Sequence, residues 1–286
     1  MDSPAYQLHV LRFGLIALLL STGLSAVHAA EPAQRYGCSQ PIRLALYKDQ
    51  IFYRDGQGID PSMVAELQQR SGCEFEVGVL PRSEIWMRLQ AGTLDMATSG
   101  IATPQRRGFA FFVPYMYVRN KLILPASLST EVQSLEAFVR RDDARLGVVR
   151  GYRHGPYLES GVRILRSAGR VVEFADDAAR FAALRRGEVS ALIGHDLSFS
   201  SLLPEDEQLN YRIIDVVPGP SIPHGLILTR THFSPAQAAE WLRLVEAMRL
   251  QGRLADIMRA NASPALADEL LNSGYRYDLA KQGRQP

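Results

Sequence analysis

The sequence has few cysteines and almost no excess charge. Two cysteines among 286 residues are too few for a disulfide scaffold or a four-cysteine zinc site. The 32 lysines and arginines nearly balance the 30 aspartates and glutamates, so the formal net charge is only +2. A general nucleic-acid binder needs a strong basic excess or a basic patch. The composition therefore argues against nucleic acid as a partner.

Several motifs of catalysis and cofactor binding are also missing. The sequence has no Gly-x-Gly-x-x-Gly after a strand, no P-loop ending in Gly-Lys-Ser/Thr, no His-Glu-x-x-His and no Gly-x-Ser-x-Gly. The histidines that follow the N-terminal segment are scattered, which disfavours a metal site; they are His154, His195, His224 and His232. These absences favour a binding function that needs no cofactor or metal.

An apolar run near the N-terminus predicts a cleaved secretory signal. Residues 13–20 are apolar, Arg12 precedes them, and Val27-His28-Ala29 fits the small-x-small rule for signal peptidase. The strongly apolar stretch is about a dozen residues long, whereas a spanning helix needs roughly 20. We therefore expect residues 1–29 to be removed and the soluble product to be exported to the periplasm.

Export would decide the redox state of the two cysteines. Cys38 and Cys73 would meet an oxidising compartment, and each lies a few residues before a strand-like run, at 42–46 and 74–77. If these strands are parallel neighbours, their starts are adjacent, and the two cysteines can form a disulfide. The alternative is a pair of buried free thiols, and the disulfide is the prediction.

Strand-like and helix-like segments alternate along the rest of the chain. Helix signals include Asp60 as an N-cap before Pro61, Gly72 after the last turn, and Thr103 before Pro104. The predicted strands are residues 42–46, 74–77, 94–97, 117–124, 146–149, 171–174, 189–193, 211–217 and 225–229. Strands separated by helices favour parallel sheets with βαβ crossovers.

The pattern predicts two α/β lobes. It restarts near Leu146, and residues 218–220, Pro-Gly-Pro, break it again. We expect mixed, mainly parallel sheets joined by a hinge that the chain crosses twice. Residues 38–120 plus 222–286 would form the first lobe, and residues 123–217 the second.

Small and basic residues follow the third predicted strand. Thr98, Ser99 and Gly100 come first, and Arg106 and Arg107 lie in the helix that begins at Thr103-Pro104. The carboxyl ends of parallel strands hold the ligand crevice of open α/β sheets. Helix N–H groups and an arginine suit a carboxylate. The alternative is a solvated arginine pair.

These residues carry a resemblance to a known family. The motifs are Gly58-Ile59-Asp60, Leu94-Asp95, Thr103-Pro104-Gln105-Arg106, Phe111-Phe112-Val113-Pro114-Tyr115, Val148-Val149-Arg150-Gly151 and Gly187-Glu188-Val189-Ser190-Ala191. In this order the chain resembles a family 3 extracellular solute-binding protein with the type II periplasmic-binding-protein fold. The likeness covers nearly all of the chain after the signal.

The resemblance implies a ligand site between the lobes. Arg106 matches the arginine that grips a carboxylate, although the short spacing to Phe111 leaves Arg107 as the alternative. His195, with Asp196 beside it, stands where members typically carry an acid for the ligand's amino group. This departure favours ligands with more negative than positive charge. The implied ligand residues are Tyr47, Phe52, Arg82, Thr98, Ser99, Gly100, Arg106, Arg107, Gly151, Tyr152, Arg153, His195 and Asp196.

The function implied is that of a monomeric periplasmic solute-binding protein. Its ligand would be an amino acid or a related organic anion that carries a carboxylate, and its partner the membrane permease of an ABC transporter. One alternative is an enzyme on the same fold, such as a dehydratase of a cyclic dicarboxylate. The other is a periplasmic sensor or accessory module.

Overall fold

The computed structural model describes residues 31–48 and 52–272. These residues form two five-stranded sheets with flanking helices. The predicted signal, residues 1–29, lies outside the described residues. Within the described part, no helix is long and apolar enough to cross a membrane.

The first sheet takes strands from both ends of the described chain. Its elements are α1 (Pro32–Tyr36), β1 (Ile42–Leu46), α2 (Ile59–Ser71), β2 (Phe75–Val79), α3 (Arg82–Ala91), β3 (Met96–Gly100), α4 (Pro104–Arg107), β4 (Ala110–Val118), β10 (Ile222–Thr229), α10 (Pro235–Leu250), α11 (Arg253–Asn261) and α12 (Pro264–Asn272). The strand order is β2-β1-β3-β10-β4, and only β10 runs against the other four.

The second sheet has the same plan and is continuous in sequence. Its elements are β5 (Lys121–Pro125), a 3₁₀ turn (Ala126–Leu128), α5 (Leu135–Arg140), β6 (Leu146–Val149), α6 (Pro156–Ser167), β7 (Val171–Phe174), α7 (Asp177–Arg185), β8 (Ala191–Gly194), α8 (Asp196–Leu202), α9 (Glu205–Gln208) and β9 (Tyr211–Ile214). The order is β7-β6-β8-β5-β9, and only β5 runs against its neighbours. The predicted class of two mixed, mainly parallel α/β sheets is confirmed.

The chain passes between the sheets twice. The prediction of one strand over residues 117–124 is wrong, because Arg119 and Asn120 separate β4 from β5, which belong to different sheets. The second passage lies between β9 and β10. The Arg119 guanidinium donates to the Asp215 carboxylate and to the carbonyls of Val217 and Gly219, so it ties the two passages together. The predicted lobe limits fall at these passages and stay a prediction.

The predicted disulfide is confirmed. Cys38 and Cys73 are bonded, with their Cα atoms 5.7 Å apart. They precede β1 and β2, which pair in parallel with Ile42 opposite Phe75. The bond therefore joins the starts of two neighbouring strands at the edge of the first sheet, as the strand spacing indicated.

Helix α1 packs against α10 on one side of the first sheet. Trp241 of α10 is fully buried and donates its indole N–H to the carbonyl of Tyr36 at 3.0 Å. Helix α10 begins at a capping box in which Ser234 and Gln237 exchange hydrogen bonds. This packing holds α10 against β4 of the first sheet.

Candidate functional site

A cavity of about 40 Å³ lies between the two sheets. Strands β1 and β3 of the first sheet and β6 and β8 of the second all end there, so the cavity occupies the carboxyl edge where open α/β sheets hold ligands. The predicted residues that line it are Tyr47, Phe52, Arg82, Ser99, Arg106, Gly151, Tyr152, Arg153 and His195. The lining residues that sequence reasoning missed are Ile101, Asn120, His154, Arg180, Ile193 and His224.

Arg106 is the buried guanidinium that bridges the two lobes. Thr103 caps α4 by accepting the Arg106 N–H at 3.2 Å, which fixes the start of the side chain. The guanidinium stacks 3.5 Å from the ring centre of Trp86. It donates to the carbonyl of Ile101 at 3.0 Å and, across the cleft, to that of Gly151 at 2.8 Å.

Among the described residues, Arg106 has no carboxylate in direct contact, and Glu159, the acid whose charge reaches it, is already paired with His154. No carboxylate of the described chain forms an ion pair with it. Burial, together with the positive charges of Arg82 and Arg153, lowers the pKa of Arg106 to about 8. An anion that entered the cavity would relieve this positive charge, which makes Arg106 the natural anchor for one.

Arg82 is also buried, and it organises the end of β3. Its guanidinium donates to the carbonyls of Thr98 at 3.1 Å and Ser99 at 2.6 Å. It also lies 4.2 Å from the ring centre of Tyr47, in a cation–π contact. The side chain therefore carries positive charge into the cleft while it holds the neighbouring loop in place.

Asp60 fixes the same loop from behind. The predicted N-cap role of Asp60 is wrong: α2 begins at Ile59, and the buried Asp60 carboxylate turns inward. It accepts hydrogen bonds from Thr98 at 2.6 Å, Ser99 at 2.8 Å and Tyr115 at 2.7 Å. Burial raises its pKa, although these donors oppose the shift. Its carboxyl oxygens are thus satisfied by local hydrogen bonds, and Asp60 does not line the cavity.

His195 caps α8 at the far wall of the cavity. Its Nδ1 accepts the backbone N–H of Ser198 at 3.2 Å, in a reciprocal capping box. Its ring meets the edge of Phe52 from the first lobe, with 5.8 Å between ring centres. Burial lowers the pKa of His195 to about 4, so the ring is neutral at pH 7.

Three further buried polar side chains face the cavity with unpartnered atoms. His224 of β10 has no partner for either ring nitrogen, and neither Nε2 of His154 nor Nδ2 of Asn120 has one. Each of these residues is at least nine-tenths buried. Buried polar groups are ordinarily paired, so this corner of the cavity calls for a polar occupant. In the sequence, His224 stands out as a histidine within the mainly apolar run of β10, but nothing local shows that it faces the cavity.

A loop of the second lobe closes the remaining side. Gly151 has a φ of +87°, and a Cβ there would lie 3.0 Å from the backbone of Ser83, so glycine permits the close approach of the lobes. Tyr152 donates its hydroxyl to Asp177 at 2.9 Å, and Asp177 pairs with the buried Arg180. Arg153 is largely exposed and lies near Glu159.

Four predicted ligand residues lie outside the cavity, and local contacts explain why. The Thr98 hydroxyl donates a hydrogen bond to the Asp60 carboxyl group. Gly100 packs against Ile227. Arg107 is exposed and approaches the ring of Phe112. The carboxylate of Asp196 pairs with Lys121. Of the two arginines that the sequence left as alternatives, only Arg106 lines the cavity; the ligand-binding roles themselves stay predictions.

The comparisons with known proteins agree with this geometry. The family model for bacterial extracellular solute-binding proteins, family 3, matches residues 47–260. The chain belongs to this family. Its fold is the type II periplasmic-binding-protein fold, with the cavity in the cleft between the lobes. The search of curated proteins gives no match.

Solved structures show the same fold at low identity. An ancestral arginine-binding protein bound to arginine has a TM-score of 0.64 and 17% identity, over 77% of this chain and 97% of that one. An ancestral amino acid-binding protein, a precursor of cyclohexadienyl dehydratase, has a TM-score of 0.62 and 17% identity, over 77% and 94%. A histidine kinase sensor domain similar to periplasmic binding proteins has a TM-score of 0.65 and 13% identity, over 80% and 98%.

The buried histidines predict a pH-dependent stability. Burial lowers the pKa values of His154, His195 and His224 below the ordinary histidine range. As the pH falls through about 6.5, these three rings therefore take up protons in the unfolded chain and stay neutral in the folded protein. We expect the free energy of unfolding to fall from pH 7 to pH 5, by up to about 1.4 kcal/mol per pH unit for each ring.

Urea titrations at pH 7, 6 and 5 measure this slope. His195→Asn keeps an N-cap side chain and removes one titrating ring, so it should flatten the slope by the share of that ring. A wild-type unfolding free energy that stays constant or rises toward pH 5 would contradict neutral buried histidines.

Proposed function

We propose that the protein binds a small carboxylate-bearing anion in the cleft between its lobes. The single observation that carries the proposal is Arg106, a buried guanidinium in the cavity that has no carboxylate partner among the described residues. A ligand carboxylate would supply the missing negative charge and accept charge-assisted hydrogen bonds there. Arg82 and Arg153 add positive charge from the two sides.

The two lobes give binding a mechanical consequence. Arg106 of the first lobe already reaches the carbonyl of Gly151 in the second. A ligand that contacts both lobes favours the closed arrangement over an open one, because its affinity for the closed state is higher. Movement would occur about the two passages that Arg119 joins.

The closed form would serve delivery to a membrane partner. We propose that the protein is exported through a cleaved N-terminal signal, works as a monomer in the periplasm, and presents its ligand to the permease of an ABC transporter. The family supports the role of an extracellular solute-binding protein. The arrangement requires no cofactor.

Calorimetry with a ligand panel tests the proposal. The panel contains amino acids, dicarboxylates, a neutral sugar and a divalent cation, and NMR of each mixture after incubation checks whether the ligand is consumed. We expect one-to-one binding of at least one carboxylate and its full recovery. A sugar or a cation as the best ligand would contradict the proposal, and turnover of a dicarboxylate would favour the dehydratase alternative.

A further inference from the structure

The charges that line the cavity are of one sign. Among the described residues that line it, four are arginines, three are histidines, and none carries a carboxylate. The nearby acids are already paired: Asp177 accepts from Tyr152 and Arg180, Glu159 pairs with His154, and Asp196 pairs with Lys121. An ammonium group would enter this site without an ion-pair partner and against the charge of the arginines.

The histidine tautomers decide which hydrogen bonds the cavity offers. Nδ1 of His195 accepts from the Ser198 N–H, so the neutral ring carries its proton on Nε2, as a donor. Nδ1 of His154 lies 3.1 Å from the Glu159 carboxylate, which can only accept. Its proton therefore sits on Nδ1, and its unpartnered Nε2 is an acceptor.

The remaining unpartnered atoms lie beside these two rings. Asn120 offers an amide donor, and the neutral ring of His224 offers one donor and one acceptor. This corner of the cavity thus combines N–H donors with at least one imidazole acceptor. A hydroxyl group matches it, because a hydroxyl both accepts and donates, whereas an ammonium group only donates.

We infer that the cleft selects a small dicarboxylate that carries a hydroxyl group and no amine. This inference rests on the proposed function and narrows it. One carboxylate binds at Arg106, and the second is favoured by the positive charges of Arg82 and Arg153, since Arg180 is already paired with Asp177. The hydroxyl occupies the corner formed by Asn120, His154 and His224. His195 offers an N–H donor to the ligand, and an ammonium group cannot accept from it. The amino acid of the same carbon skeleton is therefore disfavoured.

Matched probes of equal length test the inference. Malate, aspartate and succinate form a four-carbon set that differs in a hydroxyl, an ammonium or neither, and 2-hydroxyglutarate, glutamate and glutarate form a five-carbon set. We expect the hydroxy acid of one set to bind best by calorimetry. In that set the amino acid should bind at least about 100-fold more weakly and the unsubstituted diacid about tenfold more weakly.

A reversal variant sharpens the experiment. His195→Asp keeps a good N-cap residue for α8 and places a carboxylate at the cavity wall. It should weaken hydroxy-acid binding and bring the amino acid of the same set to equal or higher affinity. Ser200→Asp adds the same negative charge at an exposed position of the same helix, and it should leave the preference unchanged.

The outcomes separate the inference from the proposed function. If an amino acid binds the wild-type protein as tightly as its hydroxy analogue, the selection against amines is wrong and the proposed function stands. If the hydroxy acid and the unsubstituted diacid bind equally, Asn120, His154 and His224 do not bind a hydroxyl group of the ligand. If none of the six probes binds, the inference is overturned, and the proposed function then depends on the rest of the ligand panel.

Discussion

Replacement of Arg106 by alanine is expected to weaken binding of the carboxylate ligand by between tenfold and about 150-fold. Charge-assisted hydrogen bonds are worth roughly 1.5–3 kcal/mol each, and tenfold in affinity corresponds to about 1.4 kcal/mol. Arg106 also bridges the lobes through Gly151, so its loss removes both a ligand contact and a contact of the closed form. Calorimetry with the best ligand of the panel measures the effect.

The neighbouring arginine supplies the matched control. Arg107 lies one residue away on α4 and carries the same charge, but it is exposed and does not line the cavity. Arg107→Ala should change the affinity by no more than about twofold. Equal losses in the two variants would show a diffuse electrostatic effect, and a larger loss in Arg107→Ala would exclude Arg106 as the anchor.

Gly225→Ala is expected to destabilise the fold severely. A Cβ at this position of β10 would lie 2.0 Å from the carbonyl oxygen of Val113 and 2.6 Å from the Cα of Pro114. Both atoms belong to the backbone of β4, the strand that pairs with β10. Because backbone cannot step aside as a side chain can, we expect a loss of about 3 kcal/mol or more in the free energy of unfolding.

A second strand glycine controls for the loss of glycine itself. Gly78 of β2 has no atom within 4 Å of its ideal Cβ position, so Gly78→Ala should stay within about 0.5 kcal/mol of the wild type. Urea unfolding of both variants measures the difference. Similar stability in the two variants would mean that β10 does not pack on β4 at this distance.

The alternation of strands and helices revealed most of the fold. The glycine stop at Gly72 and the cap at Thr103 are local signals, and they lie where predicted. The predicted lobe limits lie beside the crossing at Arg119 and Asn120, but the break between the two strands was missed because apolar residues continue on both sides of it. Asp60 carries the local signature of an N-cap, but its carboxyl group instead accepts hydrogen bonds from three hydroxyl groups that are distant in sequence.

The site was less accessible from sequence than the fold. Residues at the carboxyl ends of strands, such as Ser99 near the end of β3 and His195 directly after β8, follow from the rule that ligands bind at the carboxyl edge of the sheet. Asn120, Arg180 and His224 reach the cavity from a crossing, a helix and a strand interior. Their positions depend on how the two lobes face each other, and no local pattern in the sequence records that.

The most direct test of anion binding in the cleft is a crystal structure of the protein with its best carboxylate ligand. We expect the ligand between the lobes, with a carboxylate oxygen within hydrogen-bond distance of the Arg106 guanidinium and a second polar group beside His154, His195 and His224. Ligand bound on an outer face of either lobe, or a cleft that holds only water at saturating ligand, would contradict the binding site proposed for this protein.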